Sequence, residues 1–339
     1  HPTSLSISPS ESDLLVAPSR RIFLVKFAAL FATAGLGLLP RPSAADRWME
    51  PPLTSRPSWS QRTPRPTSQP SKIVNNLNTT IQRYLIQLRQ TGRLAANEHT
   101  AWLVYDFTSR QFLVTINAGT PYQSASMIKP FIALAFFHKV REGKFSYTPF
   151  QRQQMEAMIQ RSDNRATNYF IGLLNRTSRY SGPAEAERTL KRRHPGVFRH
   201  IRIVERIPNS GRTYRNRASA LDYHRFLQAL WYDQLPYSGE LRRLMYLPNR
   251  DRVYTGAAGV ARQTQVLDKT GTTARLCGDM GILVARGHDG RSYPYTFIGI
   301  IEKAKPASNY IAWKNARGDV IREISGMTYE YLQRLHDLV

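Results

Sequence analysis

The sequence is poor in two kinds of residue, cysteine and acidic residues. Cys277 is the single cysteine among 339 residues, so an internal disulfide is excluded. A lone thiol without a cluster of metal ligands is more typical of a small buried apolar residue than of a catalyst. His194, His200 and His224 show no metal-ligand spacing either. The sequence therefore predicts no metal and no cofactor.

Basic residues outnumber acidic ones by 48 to 24, which gives a formal net charge of +24. Residues 1–45 contribute only +2, which leaves +22 for the remainder of the chain. Such a field attracts polyanions, which include nucleic acids, anionic lipid headgroups and the carboxylates and phosphates of a cell envelope. Zinc-finger spacing and RNA-recognition aromatic patterns are both missing, and this argues against nucleic acid as the partner.

The first 45 residues have the pattern of an export signal. Arg20 and Arg21 precede an apolar run over residues 27–39, which is too short to span a bilayer but suits a signal peptide. Small residues at 43–45 predict cleavage before Asp46. The residues around the arginine pair resemble a twin-arginine signal, so we expect a periplasmic or envelope location. An ordinary secretory signal and an uncleaved membrane anchor are the alternatives.

Residues 46–72 are rich in Pro, Ser, Thr and Arg and are expected to form a flexible tether ahead of a folded domain over residues 73–339. Apolar periodicity within that domain predicts a helix, two strands, a helical insert at about 144–258, three strands and a closing helix. The predicted strands span residues 100–107, 111–116, 264–270, 277–285 and 293–301.

Adjacent strands with short connections favour antiparallel pairing. We therefore expect an α+β fold, in which a five-stranded antiparallel sheet is flanked by the N- and C-terminal helices. The helical insert would form a separate all-helical lobe, with a cleft between it and the sheet.

Three short motifs stand where predicted elements begin or end. Ser126-Met127-Ile128-Lys129 begins a helix, Ser162-Asp163-Asn164 begins another helix 36 residues later, and Lys269-Thr270-Gly271 ends a strand. Each has an ordinary structural interpretation by itself: a capping serine with a solvated lysine, a helix N-cap, and a plain strand end. All three in this order and in this context are much rarer by chance, and they indicate an active site.

The first motif places a possible nucleophile beside a possible base. A helix N-terminus directs backbone N–H groups and the positive end of its dipole at Ser126. Lys129, three residues later, lies on the same face of the helix. Its amine can accept the serine proton, provided that the surroundings lower the lysine pKa.

The ordered triple is typical of class A β-lactamases and penicillin-binding proteins, and the domain from residue 73 onward resembles that family. The nearest likeness is to the penicillin-binding proteins that share the class A fold. The resemblance implies that Ser126 attacks the carbonyl of a β-lactam or of an acyl-D-Ala-D-Ala peptide. Lys129 would accept the serine proton, and Ser162 would pass a proton to the departing nitrogen. The backbone N–H groups of Ser126 and Thr272 would form the oxyanion hole.

The resemblance also implies which residues hold the substrate. Asn164 would bind its side-chain amide, and Lys269 with Thr270 would bind its carboxylate; the Lys269 charge would also keep the base from protonating. Gly271 has no Cβ, so a substrate could lie against the strand edge. Arg275 is a further candidate carboxylate contact, with a solvated turn residue as the alternative.

Two departures from the family pattern bear on function. The gap between the first two motifs is short, so we expect the helical lobe to be trimmed near residues 141–150. Family β-lactamases use a glutamate on a surface loop to release the acyl-enzyme, and the corresponding loop here is residues 200–220. One alignment puts Glu205 and Asn209 at the family's glutamate and asparagine, while another puts Ile207-Pro208 at its Glu-Pro step. Residues 206–221 contain no Asp or Glu.

Three functions therefore remain open at this stage. The first is a hydrolase that forms and turns over an acyl-enzyme on Ser126. The second is a penicillin-binding DD-peptidase that deacylates slowly, with a β-lactam or a peptidoglycan stem peptide as partner in either case. The third is a non-enzymatic module that binds the anionic cell envelope through its charge and the basic cluster at residues 191–194. We expect a monomer.

Overall fold

The computed structural model describes residues 71–208 and 215–339. The predicted signal peptide, nearly all of the predicted tether and Asn209 lie outside these residues. Within the described part of the chain, every helix is too short or too polar to cross a membrane.

A five-stranded antiparallel sheet forms one lobe, as the sequence predicts. The strands stand in the order β2-β1-β7-β6-β5, so β5 lies at one edge. Their bounds are β1 Glu98–Asp106, β2 Gln111–Ile116, β5 Gln265–Thr272, β6 Leu276–Arg286 and β7 Ser292–Lys303. These bounds agree with the predicted strands to within a few residues, because alternating apolar residues and short turns mark each of them.

Two terminal helices cover one face of the sheet: α1 (Ser71–Gln90) and α8 (Tyr310–His336). Apolar side chains recur every three or four residues along α1 and pack with Trp102 and Val104 of β1. The alternate residues of the same strand, Leu103 and Tyr105, face the other way into the core shared with the helical lobe. The sheet is therefore buried on both faces, and the fold class is α+β as predicted.

The helical lobe is built around α2 (Lys129–Arg141), whose residues from Lys129 to Lys139 are all buried. Helices pack around it on several sides, which explains why α2 lacks a polar face. These helices are α3 Pro149–Ile159, α4 Asn164–Asn175, α5 Gly182–Arg193, α6 Ala220–Trp231 and α7 Ser238–Tyr246. The N-terminus of the most buried helix thus lies at the boundary between the two lobes.

A two-stranded sheet that the sequence did not predict ties together two distant segments. Strand β3 (Pro121–Gln123) pairs antiparallel with β4 (Arg217–Ser219). The pairing continues where Ser124 N donates to Asn216 O at 2.9 Å. Three residues are too few to show an alternating pattern, so only the tertiary structure reveals them. The pair fixes the segment just before Ser126 to the last residues of the 200–220 loop.

Candidate active site

Ser126 lies in a short 3-10 helix (Ala125–Ile128) that runs directly into α2. Its neighbours Ala125, Met127 and Ile128 are buried, whereas Ser126 is half-buried. Ala125 has φ +46°, in the left-handed region that costs a residue with a Cβ about 1–2 kcal/mol. Such strain is common at functional sites that the surrounding structure holds in place, and here it immediately precedes the candidate nucleophile.

Lys129 joins the first two motifs through its side chain. It is fully buried; its amine lies 3.1 Å from Ser162 Oγ and donates to Asn164 Oδ1 at 2.9 Å. A further short hydrogen bond runs from the same amine to the carbonyl oxygen of Ser162. The serine and the asparagine that the sequence assigns to proton transfer and substrate binding therefore meet at the candidate base.

The surroundings lower the pKa of Lys129 to about 6. Burial is the main cause, the positive charge of Lys269 adds to it, and Asp163 acts in the opposite direction. A lysine amine with such a pKa is mostly neutral at pH 7 and can accept a proton. A role for Lys129 as the base requires this lowered pKa, which the sequence alone could not establish.

The Ser162-Asp163-Asn164 motif has both its structural and its candidate catalytic function. The side chain of Asp163 caps α4 by accepting from Ala166 N at 2.7 Å. Ser162 precedes the cap with φ +57°, again in the left-handed region. Because Asp163 serves as the cap, the side chains of Ser162 and Asn164 remain available to Lys129.

Lys269 lies on edge strand β5 and is buried, with its amine donating to Thr270 O at 3.1 Å. Burial lowers its pKa to about 8, while the carboxylates of Asp268 and Asp279 oppose the shift. The lysine therefore keeps most of its charge at pH 7. A buried cation at a strand edge is suited to binding a carboxylate.

Gly271 packs directly against the turn that carries Ser126. A Cβ at this position would lie 2.8 Å from Met127 Cγ and 3.2 Å from Ala125 Cβ. A Cβ at Gly278 on β6 would likewise lie 2.8 Å from Met127 Cε. The missing Cβ of Gly271 thus makes room for the nucleophile's own turn. Its role in making room for substrate stays a prediction.

Arg252 is a site residue that sequence reasoning missed. It is buried, and its Nη2 donates to Thr272 Oγ1 at 2.7 Å while its Nη1 donates to Gly278 O at 3.1 Å. Its backbone N–H donates to Asp279 Oδ2 at 2.7 Å. Arg252 lies in irregular chain between α7 and β5 and belongs to no motif, so no local signal marks it. The guanidinium adds positive charge beside the candidate oxyanion donor.

Three buried carboxylates balance these cations: Asp251, Asp268 and Asp279. Burial together with the neighbouring carboxylates raises the pKa of Asp268 well above its usual range. Burial likewise raises the pKa of Asp279 to about 6, although Arg252 opposes this. Asn249 donates to Asp268 Oδ1 at 2.9 Å. Asp279 fixes the backbone at Arg252, and the charges of Asp268 and Asp279 favour the protonated form of Lys269.

Arg275 lies at the turn between β5 and β6. Its backbone N–H donates to Thr273 Oγ1 at 3.1 Å, and its Nε donates to Lys303 O at 3.3 Å. It lines a separate cavity at the β5–β6 turn. Its predicted contact with the substrate carboxylate at Lys269 stays a prediction without support from these contacts.

The structure also shows how the 200–220 loop attaches to the site. Asn168 lies one helical turn after Asn164 on α4, and its side-chain amide pairs with the backbone of Ile207. Nδ2 donates to Ile207 O at 2.5 Å, and Ile207 N donates to Oδ1 at 3.0 Å. Residues four apart share a helix face, so the buried, aliphatic Ile207 is held against the face of α4 that also carries Asn164.

Glu205 is held elsewhere in the loop. Its Oε1 accepts from Arg215 N at 2.9 Å. The side chain of Asn216 binds its backbone on both sides, accepting from Glu205 N at 3.1 Å and donating to Glu205 O at 3.0 Å. The carboxylate thus bonds to the segment at Arg215, where the chain returns from the loop.

Solved structures share this fold. A leucine-to-glutamate variant of PBP-A, determined as an acyl-enzyme complex with penicillin G, is 20% identical with a TM-score of 0.60, covering 79% of this chain and 99% of that chain. TLA-1 extended-spectrum β-lactamase is 15% identical with a TM-score of 0.60, covering 76% and 99%. A class A β-lactamase from Bacteroides cellulosilyticus DSM 14838 is 16% identical with a TM-score of 0.58, covering 76% and 99%. No curated protein matches the sequence.

The model of the beta-lactamase enzyme family matches residues 77–149 and 150–332, which is most of the chain and all three motifs. The fold and the ordered motifs agree with that match. The chain belongs to the beta-lactamase enzyme family.

Proposed function

We propose that the protein is an exported serine hydrolase of the penicillin-binding type. It is acylated on Ser126 by β-lactams or acyl-D-Ala-D-Ala peptides and releases the acyl group slowly. The observation that supports the slow step is the pairing of Asn168 with Ile207, because it fixes Ile207, and not a glutamate, against the helix that carries Asn164.

Acylation would begin at Lys129. Its neutral amine takes the Ser126 proton as Oγ attacks the substrate carbonyl. The N–H groups of Ser126 and Thr272 receive the developing negative charge on the carbonyl oxygen. In other acyl-transfer enzymes, loss of one such donor costs about 3 kcal/mol in the transition state.

Ser162 would complete proton transfer. Its hydroxyl lies 3.1 Å from the Lys129 amine, so the proton taken from the nucleophile can pass through Ser162 to the departing nitrogen. The C–N bond breaks as that nitrogen gains the proton, leaving the ester on Ser126. Lys269 and Thr270 hold the substrate carboxylate meanwhile, and Arg252 steadies Thr272 beside them.

Release of the ester needs a base to activate water. Family β-lactamases use a loop glutamate, but here the clamped loop residue is Ile207. Glu205 is the candidate base for rapid turnover, and its hydrogen bond to Arg215 N directs the carboxylate to the loop itself. This arrangement favours the slow peptidase over the rapid β-lactamase.

The non-enzymatic alternative has less support. Of the basic cluster at 191–194, Lys191 pairs with Glu187 at 2.7 Å and Arg193 with Glu142 at 2.7 Å. These charges are partly neutralised within the fold. A lysine with a lowered pKa placed between two candidate motifs is typical of an active site.

Intact-mass spectrometry after a short penicillin pulse tests the proposal. We expect one penicillin mass to add to the wild-type protein and to persist, and no addition in Ser126→Ala. Loss of the adduct within seconds would show rapid turnover instead. A wild-type protein that never gains the mass would rule out acylation by penicillin.

A further inference from the structure

A cavity lies beside the segment that precedes Ser126. It has a volume of about 280 Å³ and lies between the β3–β4 pair and the β5–β6 turn. Three half-buried cationic residues line it: Arg217, Arg275 and Lys303. The site described above uses none of the three.

Contacts within the protein hold the three cationic side chains. Arg217 Nη1 donates to Pro121 O at 3.2 Å, and Arg275 Nε donates to Lys303 O at 3.3 Å. The Lys303 amine lies 5.9 Å from the centroid of the Trp313 ring. These contacts limit the freedom of the three side chains, so less conformational entropy is lost when they bind a ligand.

The one carboxylate in the cavity lining accepts hydrogen bonds from another residue of the protein. Glu302 accepts from Gln123 Nε2 at 2.6 Å and from Gln123 N at 3.2 Å. His99 and Tyr122 are the remaining ionisable lining residues, and the Tyr122 hydroxyl donates to Thr100 O at 3.1 Å. Three cations against one hydrogen-bonded carboxylate make the cavity suited to an anion.

Gln123 also connects this cavity to the nucleophile. Its Oε1 accepts from Thr273 Oγ1 at 3.2 Å, directly after Thr272 on the strand that would hold the substrate. Gln123 itself precedes Ser126 by three residues. Gln123 therefore links the lining residue Glu302 to Thr273, the neighbour of the candidate oxyanion donor Thr272.

The direction of the substrate follows from these positions. Under the proposed function, its terminal carboxylate lies at Lys269 and Thr270, and its reacting carbonyl lies at Ser126 and Thr272. The part of the acyl donor beyond that carbonyl continues past Thr272 toward the β5–β6 turn, because an extended peptide follows a strand edge. The cavity lies at that end.

We propose that the cavity is a subsite for a carboxylate carried by the acyl-donor peptide, upstream of its D-Ala-D-Ala end. This inference rests on the proposed function, because the direction of the peptide does. The subsite would distinguish a peptide with an acidic side chain from one whose side chain is amidated. It would not affect recognition of the terminal carboxylate.

Two matched peptides test the subsite. Both end in D-Ala-D-Ala, and the residue before them carries either a free side-chain carboxylate or its primary amide. Each competes with a fluorescent penicillin for labelling of Ser126. We expect the acidic peptide to compete about tenfold better in wild type, the ratio typical of one charged hydrogen bond, and high salt to reduce that ratio.

Substitutions in the cavity lining show whether the preference for the acidic peptide arises there. Arg217→Gln and Lys303→Gln should each bring the ratio toward one. Arg286→Gln, which removes an exposed charge from the other end of β6, should keep it. Two different lining variants are used so that one still decides if the other fails to fold, as judged by its melting temperature.

Other outcomes overturn the inference in distinguishable ways. A ratio near one in wild type, with Ser126 still labelled, refutes the subsite and leaves the proposed function standing. A tenfold ratio that survives both lining substitutions refutes it too, because the carboxylate then binds elsewhere. A wild-type protein that takes no label refutes both the subsite and the function on which it rests.

Discussion

The side chain of Asn168 binds both backbone polar groups of Ile207, across 39 residues of sequence. An amide that satisfies an N–H and a C=O of one residue fixes both the position and the register of the loop segment. The loop contributes an aliphatic side chain at this point. Glu205, two residues before Ile207, accepts a hydrogen bond from Arg215 N.

Ile207→Glu should therefore convert a slow acyl-enzyme into a faster hydrolase. A carboxylate at the clamped position can act as general base for water, which is typically worth about 10²–10⁴-fold in rate. Decay of the penicillin adduct, followed by intact mass, measures the gain. Glu205→Gln is the matched control and should leave the decay rate unchanged. A control that slows decay more than Ile207→Glu accelerates it would reverse the assignment.

The acylation rate should depend on pH through two lysines. Lys129 must be neutral to accept a proton, so the rate falls below its pKa of about 6. Lys269 must be charged to bind a carboxylate, so the rate falls again above its pKa of about 8. Labelling by a fluorescent penicillin from pH 5 to pH 9 should give a bell-shaped profile.

Lys269→Gln tests the coupling between the two limbs. Because the Lys269 charge helps to lower the pKa of Lys129, its removal should move the acid limb to higher pH. It should also abolish the alkaline limb and weaken penicillin labelling at every pH. An acid limb that does not move would mean that burial alone sets the pKa of the base.

Gly271→Ala should destabilise the nucleophile's turn by overpacking. The new methyl group would lie 2.8 Å from Met127 Cγ, and such overpacking typically costs about 1–3 kcal/mol. Urea unfolding measures the loss, and slower labelling of Ser126 would accompany it. In a double-mutant cycle, Met127→Ala should relieve part of the effect. Simple additivity of the two changes would argue that Gly271 does not act through Met127.

A histidine pair in the helical lobe should make the fold sensitive to acid. His138 Nε2 lies 2.9 Å from His194 Nε2, so at most one of these atoms carries a proton comfortably. Burial, followed by the charges of His194 and Arg193, lowers the pKa of His138 to about 4. The folded state therefore binds fewer protons than the unfolded state between about pH 4 and pH 6.5, and stability falls as the pH drops through this window.

The loss should amount to roughly 2–3 kcal/mol, from 1.4 kcal/mol per pKa unit. Urea unfolding at pH 7.5 and pH 4.5 measures it, with His138→Gln as the variant that removes the titrating group. The variant should lose less stability on acidification than wild type does. An equal loss in both proteins would place the acid sensitivity elsewhere, for example at buried His224.

Local sequence patterns predict some features of this molecule and not others. The strands, the terminal helices and the three motifs carry periodicity or a defined spacing, and the structure has the strands and helices close to where they were expected. The sequence leaves the choice between Glu205 and Ile207 open because Asn168, which binds the backbone of Ile207, lies on a helix far away in the chain. Arg252 and the β3–β4 pair were missed for the same reason: their partners are tertiary, and their own segments are irregular or only three residues long.

The β3–β4 pair has a consequence for how this site can vary. With Arg202 and Arg217 exchanging backbone hydrogen bonds at 2.8 Å, the base of the loop is closed independently of its middle. Residues inserted or deleted between Pro208 and Arg215 would change the reach of the loop while the pairing beside Ser126 stays intact. We therefore expect that changes in the length of this loop leave the backbone geometry around Ser126 unchanged.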